Sequence, residues 1–247
     1  MSALAALASR ELIRLRRQPA RIAATIGTPL LLWAFLASGL AGSFAAGEEG
    51  VSYAAFFLPG AATLAVLFSS IFASMSLIED RREGFLQAAL VSPAPRTSIA
   101  LAKASGATLV ALLQGAVLLA PAALVGLETP PLGYLLGAYA LALTAAAVTS
   151  LGLALAWVVN SSEGFHGVMN GLLMPMWMLS GAVFPVDSAS PWLATIAAIN
   201  PLTWCTTCVR AALAGDAFPT LSWIGAGVFA FGSVLFAARV MSSRRSA

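Results

Sequence analysis

The sequence predicts an all-α polytopic membrane protein, and three observations carry that expectation. Hydrophobic residues make up 60% of the 247 and charged residues only 9%, with a mean hydropathy of +0.90. A soluble surface of this size needs more charge, since roughly a quarter of an average globular sequence is ionisable. Six uncharged or nearly uncharged runs are long enough to cross about 30 Å of hydrocarbon, which takes about 20 helical residues. Twelve of the thirteen basic residues fall on one side of those runs. A pI near 9.3 invites a nucleic-acid reading, but no soluble domain gathers the basic residues, and positive-inside orientation accounts for them.

The elements follow in chain order. Residues 1–21, "MSALAALASRELIRLRRQPAR", repeat Leu4, Leu7, Ala8, Leu12 and Leu15 near helical spacing, with arginines largely on the other side. That pattern predicts an interfacial helix lying on the inner membrane surface, its arginines near anionic headgroups. The spans are expected at residues 22–44, 52–78, 104–127, 132–159, 165–184 and 221–238. Gly and Pro inside them are tolerated in membrane bundles, and period-2 alternation, the mark of a membrane barrel, is absent. The first run is too long, and lacks a small-residue cleavage site, to be a cleaved signal peptide.

Arg10, Arg14, Arg16, Arg17 and Arg21 precede the first span, Arg81, Arg82, Arg96 and Lys103 lie between the second and third, and Arg239, Arg244 and Arg245 follow the sixth. The opposite loops hold Glu48, Glu49, Glu128, Asp187 and Asp216 against Arg210 alone. Both termini are therefore expected in the cytoplasm. Within the outer segment 185–220, the uncharged stretch 188–209 is long enough to be counted as a seventh span. It contains Pro191, Asn200 and Pro201, and a crossing there would carry Arg244 and Arg245 outside. It is read as two short helices that enter the outer leaflet and return, broken at Asn200-Pro201.

The loop 79–103, "EDRREGFLQAALVSPAPRTSIALAK", opens with five consecutive charged residues. Phe85, Leu86, Ala89 and Leu90 then fall on one narrow helical face. Glu79, Asp80 and Glu83 precede that face, where acidic groups suit a helix start. Ser92-Pro93 stops it, and Pro95-Arg96 turns the chain back. An apolar face on a cytoplasmic loop predicts a cytoplasmic partner.

This loop resembles the coupling-helix loop of type-two ABC exporter permeases, whose E-R-E-x-G-x-L-x-x-L-x-x-S-P pattern precedes a lysine leading into the third span. "SGAVFPVDSASPWLATIAAINPLTWCTTCVRAALAG", residues 180–215, is similar to the family's closing signature. There Phe184-Pro185 ends the fifth span, followed by a P-W-L at Pro191, an N-P-L-T at Asn200-Pro201 and an R-x-x-L-x-G at Arg210. The likeness covers nearly the whole chain and falls closest to the daunorubicin-resistance and nodulation lipo-oligosaccharide exporter group. It implies a permease dimer, homodimeric or with a close paralogue, in a bacterial inner or plasma membrane. It also implies two cytosolic ATPase subunits, which carry ATP and Mg, docked at Arg81, Arg82, Glu83, Gly84, Phe85, Leu86, Leu90, Ser92 and Pro93. Re-entrant helices between spans five and six, and cargo passing along the permease interface, belong to the same expectation.

An external engine is also expected on independent grounds. A phosphate-cradling loop needs G-x-x-x-x-G-K-[ST], and the single lysine, Lys103, follows "IALA". No cofactor is expected on this chain, nor catalysis. His166 could serve an intramembrane protease with Ser233, but no G-x-S-x-G elbow accompanies it, and a headgroup-level position is the simpler reading. Cys205 and Cys208 have the spacing of a redox pair or half a metal site; two small apolar residues one turn apart is the plainer reading. The alternative function is an ATP-independent secondary transporter or channel. Such proteins usually carry Asp, Glu or Lys inside their spans, whereas no span interior here has an acid, a lysine or an arginine, and Gln114 stands out as a polar group. Trp33, Phe35, Trp177 and several methionines suit an amphipathic drug, lipid or lipid-linked glycan. Gly27, Gly39, Gly60, Gly152 and Gly171 are expected to permit close helix packing.

Overall fold

The computed structural model describes residues 13–42, 44, 51–84, 96–159, 161–186 and 189–242, with the backbone alone for 96–100. Among these residues every regular element is helical: α1 (Pro19–Leu40), α2 (Tyr53–Arg82), α3 (Arg96–Val117), α4 (Pro131–Val159), α5 (Ser162–Trp177), α6 (Pro191–Ile199), α7 (Pro201–Ala214) and α8 (Thr220–Ser242). A 3₁₀ segment, Ala120–Val125, extends α3, and a π-helical turn, Met178–Ala182, extends α5. Five stretches are long and apolar enough to cross a membrane: α1, α2, Leu101–Val125, α4 and α8. The chain is thus a multi-pass membrane protein. The fifth run of the sequence forms a 16-residue α-helix from Ser162 to Trp177, and only the π turn carries it on to Ala182.

Local chemistry sets the ends. Pro19 opens α1 where its missing N–H costs nothing. The Ser52 hydroxyl accepts from the Ala55 N–H at 3.2 Å to cap α2, and Ser161 caps α5 through the Gly164 N–H at 3.1 Å. Thirty residues make α2 about 45 Å long at 1.5 Å per residue, well beyond the hydrocarbon. This corrects the reading of Glu79 and Asp80 as the start of a loop helix: they lie in the last turns of α2, which continues past the bilayer carrying its charges. Arg81 and Arg82 close it, cations at the end where exposed carbonyls favour them. Gly84, at φ 78°, then stops it, its N–H meeting the Arg81 carbonyl at 3.2 Å. Its glycine is required by that left-handed turn, and a side chain there would meet nothing described within 4 Å.

Helix α2 is the axis of the molecule and packs on α1, α3 and α4. Phe57, Leu64, Leu67, Leu77, Val148, Leu153, Phe165 and Leu173 share one buried cluster with it, and Val66, Leu118, Leu141, Val209 and Leu213 belong to a second. Some polar groups link the helices: Ser70 and Thr149 join α2 to α4 at 2.9 Å, and the Trp33 indole donates to the Ala54 carbonyl at 2.8 Å.

Of the five glycines expected at close contacts, two are there. A Cβ on Gly60 would lie 2.7 Å from the Ala182 carbonyl oxygen, and one on Gly152 would collide with Ser74. Gly27, Gly39 and Gly171 have nothing within 4 Å, because they face outward from this single chain. Gly60→Val is expected to lower stability by about 1–3 kcal/mol through overpacking, read as the melting temperature in detergent. An unchanged melting temperature contradicts the tight contact of α2 with the π turn.

Candidate functional site

The two signatures of the sequence lie at opposite ends of the bundle. At the end of α2 that carries Arg82 the charged block divides. Glu79, Arg82 and Glu83 are exposed, while Asp80 is buried. Arg81 turns against α4: its guanidinium lies 4.5 Å over the Trp157 ring and donates to the Trp157 carbonyl at 3.4 Å. Arg81 therefore ties α2 to α4, and only Arg82 and Glu83 of the charged block's predicted docking residues present themselves outward. Phe85, Leu86, Leu90, Ser92 and Pro93 lie outside the described residues, as do residues 1–12 of the interfacial segment; residues 13–16 are helical.

Asp80 holds a charge cluster that sequence reasoning missed. One carboxylate oxygen accepts from Lys103 at 2.5 Å and the other from Arg14 at 3.1 Å, while Arg14 also reaches Glu79 at 2.5 Å. Beside it a groove is lined by Ile13, Arg14, Arg17, Gln18 and Glu83. The available signal was the one acid of α2 that lies opposite the only lysine across the loop.

At the other end the helix break after Trp177 organises the site. Pro175 lies just before it, and Gly181 takes φ 73° inside the π turn. Three carbonyls around the break accept from side chains of other elements: Met176 from the Asn200 amide at 2.6 Å, Gly181 from Arg210 at 2.6 Å and Val183 from the Tyr53 hydroxyl at 2.8 Å. In return the Trp177 indole donates to the Gly60 carbonyl at 3.0 Å. Irregular backbone in a membrane protein is tolerated only where protein satisfies it, and here α2, α7 and the α6–α7 junction do so. Asn200 serves twice, since its Oδ1 also caps α7 through the Leu202 N–H at 3.1 Å, with Pro201 in the first turn.

Arg210 was expected to pair with Asp187 or Asp216 or to contact a headgroup or cargo. It donates to the Gly181 carbonyl at 2.6 Å, and its guanidinium sits 4.4 Å over the Phe56 ring; Asp187 lies outside the described residues. Asp216 lines a separate cavity of about 160 Å³ with Gly133, Ala212, Phe218 and Trp223. Trp223 stacks between Phe218 at 5.1 Å and Tyr139 at 5.7 Å, an aromatic group suited to a membrane–water boundary. Phe184 and Pro185 lead out of the π turn, half-buried, and Pro191 begins α6. Tyr53, Phe56 and Trp177 are the residues around this break that the sequence reading missed as a connected set. An aromatic with a polar tip, such as Tyr53 or Trp177, needs a partner when buried, which was their one visible signal.

Cys205 and Cys208 are free and buried, and no group of three metal-ligating side chains occurs among the described residues. His166 is exposed on α5, edge-on to Phe165 at 6.4 Å.

A family model described as ABC-2 type transporter matches residues 2–214. The chain belongs to the ABC-2 type transporter family. Nodulation protein J of Neorhizobium galegae is 30% identical to this ABC-2 protein over 209 residues, covering 83% of this chain and 78% of its own. A putative transport permease, ycf38, of Cyanophora paradoxa is 29% identical over 83% of this chain and 71% of its own. The probable multidrug ABC transporter permease YbhR of Escherichia coli is 28% identical over 71% of this chain and 48% of its own. Both ends of the bundle thus belong to a transporter membrane subunit, and the matched region includes the buried charge cluster and the capped helix break.

Proposed function

We propose that the chain is the permease subunit of an ATP-driven exporter, moving an amphipathic drug, lipid or lipid-linked glycan outward. In this reading two permeases, identical or closely paralogous, pair in the cell membrane, and two cytosolic ATPase subunits hold ATP and Mg beneath them. The observation that carries it is the family match over residues 2–214, joined to a cytoplasmic end where α2, α3 and α4 are tied together around the loop 83–95. The relative named as a multidrug permease supports an amphipathic cargo. Six spans are proposed, the fifth made by α5 with its π turn, and both termini lie in the cytoplasm.

The loop's apolar residues Phe85, Leu86 and Leu90 would enter a groove on the ATPase, while Arg82 and Glu83 orient it from the rim. Nucleotide-driven closure of the ATPases would move α2 and α3 as levers. At the outer end α6 and α7 would form the re-entrant segment, held shut by Arg210, Asn200 and Tyr53 on the π turn. A bundle with two discrete packings needs no catalytic group to alternate its access.

Orientation is tested by cysteine labelling in intact cells. An impermeant maleimide is expected to reach Glu48→Cys but not Ser243→Cys; the reverse pattern contradicts the topology.

A further inference from the structure

Asp80 joins three pieces of chain that are far apart in sequence. Its side chain is 2% exposed, and its two oxygens face different cations, Lys103 at the start of the third span and Arg14 of the surface segment. Lys103 is itself 8% exposed and Arg14 17%, so bulk salt screens this cluster far less than an exposed pair. Glu79, 47% exposed, adds a second contact to Arg14 and completes a set of two acids and two bases. The 83–95 loop leaves α2 just after Asp80 and enters α3 at Arg96, two turns before Lys103. The Asp80–Lys103 pair therefore closes that loop at its base, and Arg14 fastens the surface helix to the closure.

We propose that Asp80 is the positioning residue of energy coupling, clamping the surface helix and the two ends of the docking loop into one unit. This rests on the permease reading above. A load applied to the loop cannot then be absorbed by parting α2 from α3. It passes into both spans and into the surface helix, which shifts in the membrane plane with them. Arg14 is the informative position, because removing it leaves Asp80 paired with Lys103 and strands no buried charge.

The test uses the permease reconstituted with its ATPase, with ATP as the probe. Arg14→Gln is expected to leave ATPase binding unchanged and to lower permease-stimulated ATP hydrolysis roughly tenfold, the usual scale of a coupling free energy. Arg14→Lys, which keeps the charge, should restore most of it. Independently of any ATPase, an Ile13→Cys/Glu83→Cys protein should be cross-linked by a flexible bis-maleimide across the groove, and adding Arg14→Gln should cut the yield several-fold. Full stimulation in Arg14→Gln, or an unchanged cross-link, overturns the clamp. A wild-type chain that binds no ATPase overturns the permease reading, and the coupling role with it, whatever the cross-link does.

Discussion

Leu90→Asp is expected to release the ATPase subunit while the permease still folds and inserts. Burying a leucine is worth about 1.5–3 kcal/mol, and interface energy concentrates in a few such anchors. Losing one, and asking a carboxylate to enter the same groove, should weaken association by about 3 kcal/mol, roughly a hundredfold. Phe85→Ala should act in the same direction. Arg82→Glu should do less, because exposed pairs contribute about 0–1 kcal/mol, and its effect should grow as salt is lowered. Pull-down of the ATPase with hydrolysis assays on the reconstituted complex reads all three. Retention of the ATPase with normal stimulation in Leu90→Asp would show that the loop is not the dock.

Arg210→Ala is expected to loosen the outer end. The substitution removes a charge-assisted bond to the Gly181 carbonyl, a kind of contact worth about 1.5–3 kcal/mol. It also removes the contact over Phe56, worth about 0.5–2 kcal/mol. A stability loss of about 3 kcal/mol should lower the melting temperature in detergent by several degrees, at about 2–4 °C per kcal/mol for a chain of this size. Coupled hydrolysis should change as well, since the π turn loses its anchor. Because Arg210 and Phe56 touch, Phe56→Leu added to Arg210→Ala should cost less than the sum of the two. Strict additivity, or a wild-type melting temperature, contradicts the anchoring role.

The spans were legible because an uncharged run of about 20 residues has few other uses. Their ends were less so. Hydropathy marks where lipid stops, not where hydrogen bonding stops, so α2 ran on through Arg82 and took Glu79 and Asp80 with it. The break at Asn200-Pro201 was legible from local chemistry alone, since proline fixes a helix start and asparagine caps it. Its second hydrogen bond, to Met176, was not, because that carbonyl is brought to Asn200 by the π turn. The same applies to Arg210. Its charge was conspicuous in the sequence, but the Gly181 carbonyl and the Phe56 ring that meet it were not. Asp80 was the largest omission. In a block of five charges nothing local marks the one that is buried, and its partners stand 66 positions before it and 23 after.

Native mass spectrometry of the complex purified from its own membrane decides whether a separate ATPase drives this chain. The expected result is one assembly of two 25.3 kDa permeases, or one with a paralogue, plus two ATP-binding subunits. That assembly should hydrolyse ATP, and the ATPases should be lost on Leu90→Asp. A chain that purifies without any nucleotide-binding partner, yet moves its cargo in proteoliposomes on an ion gradient alone, contradicts the claim.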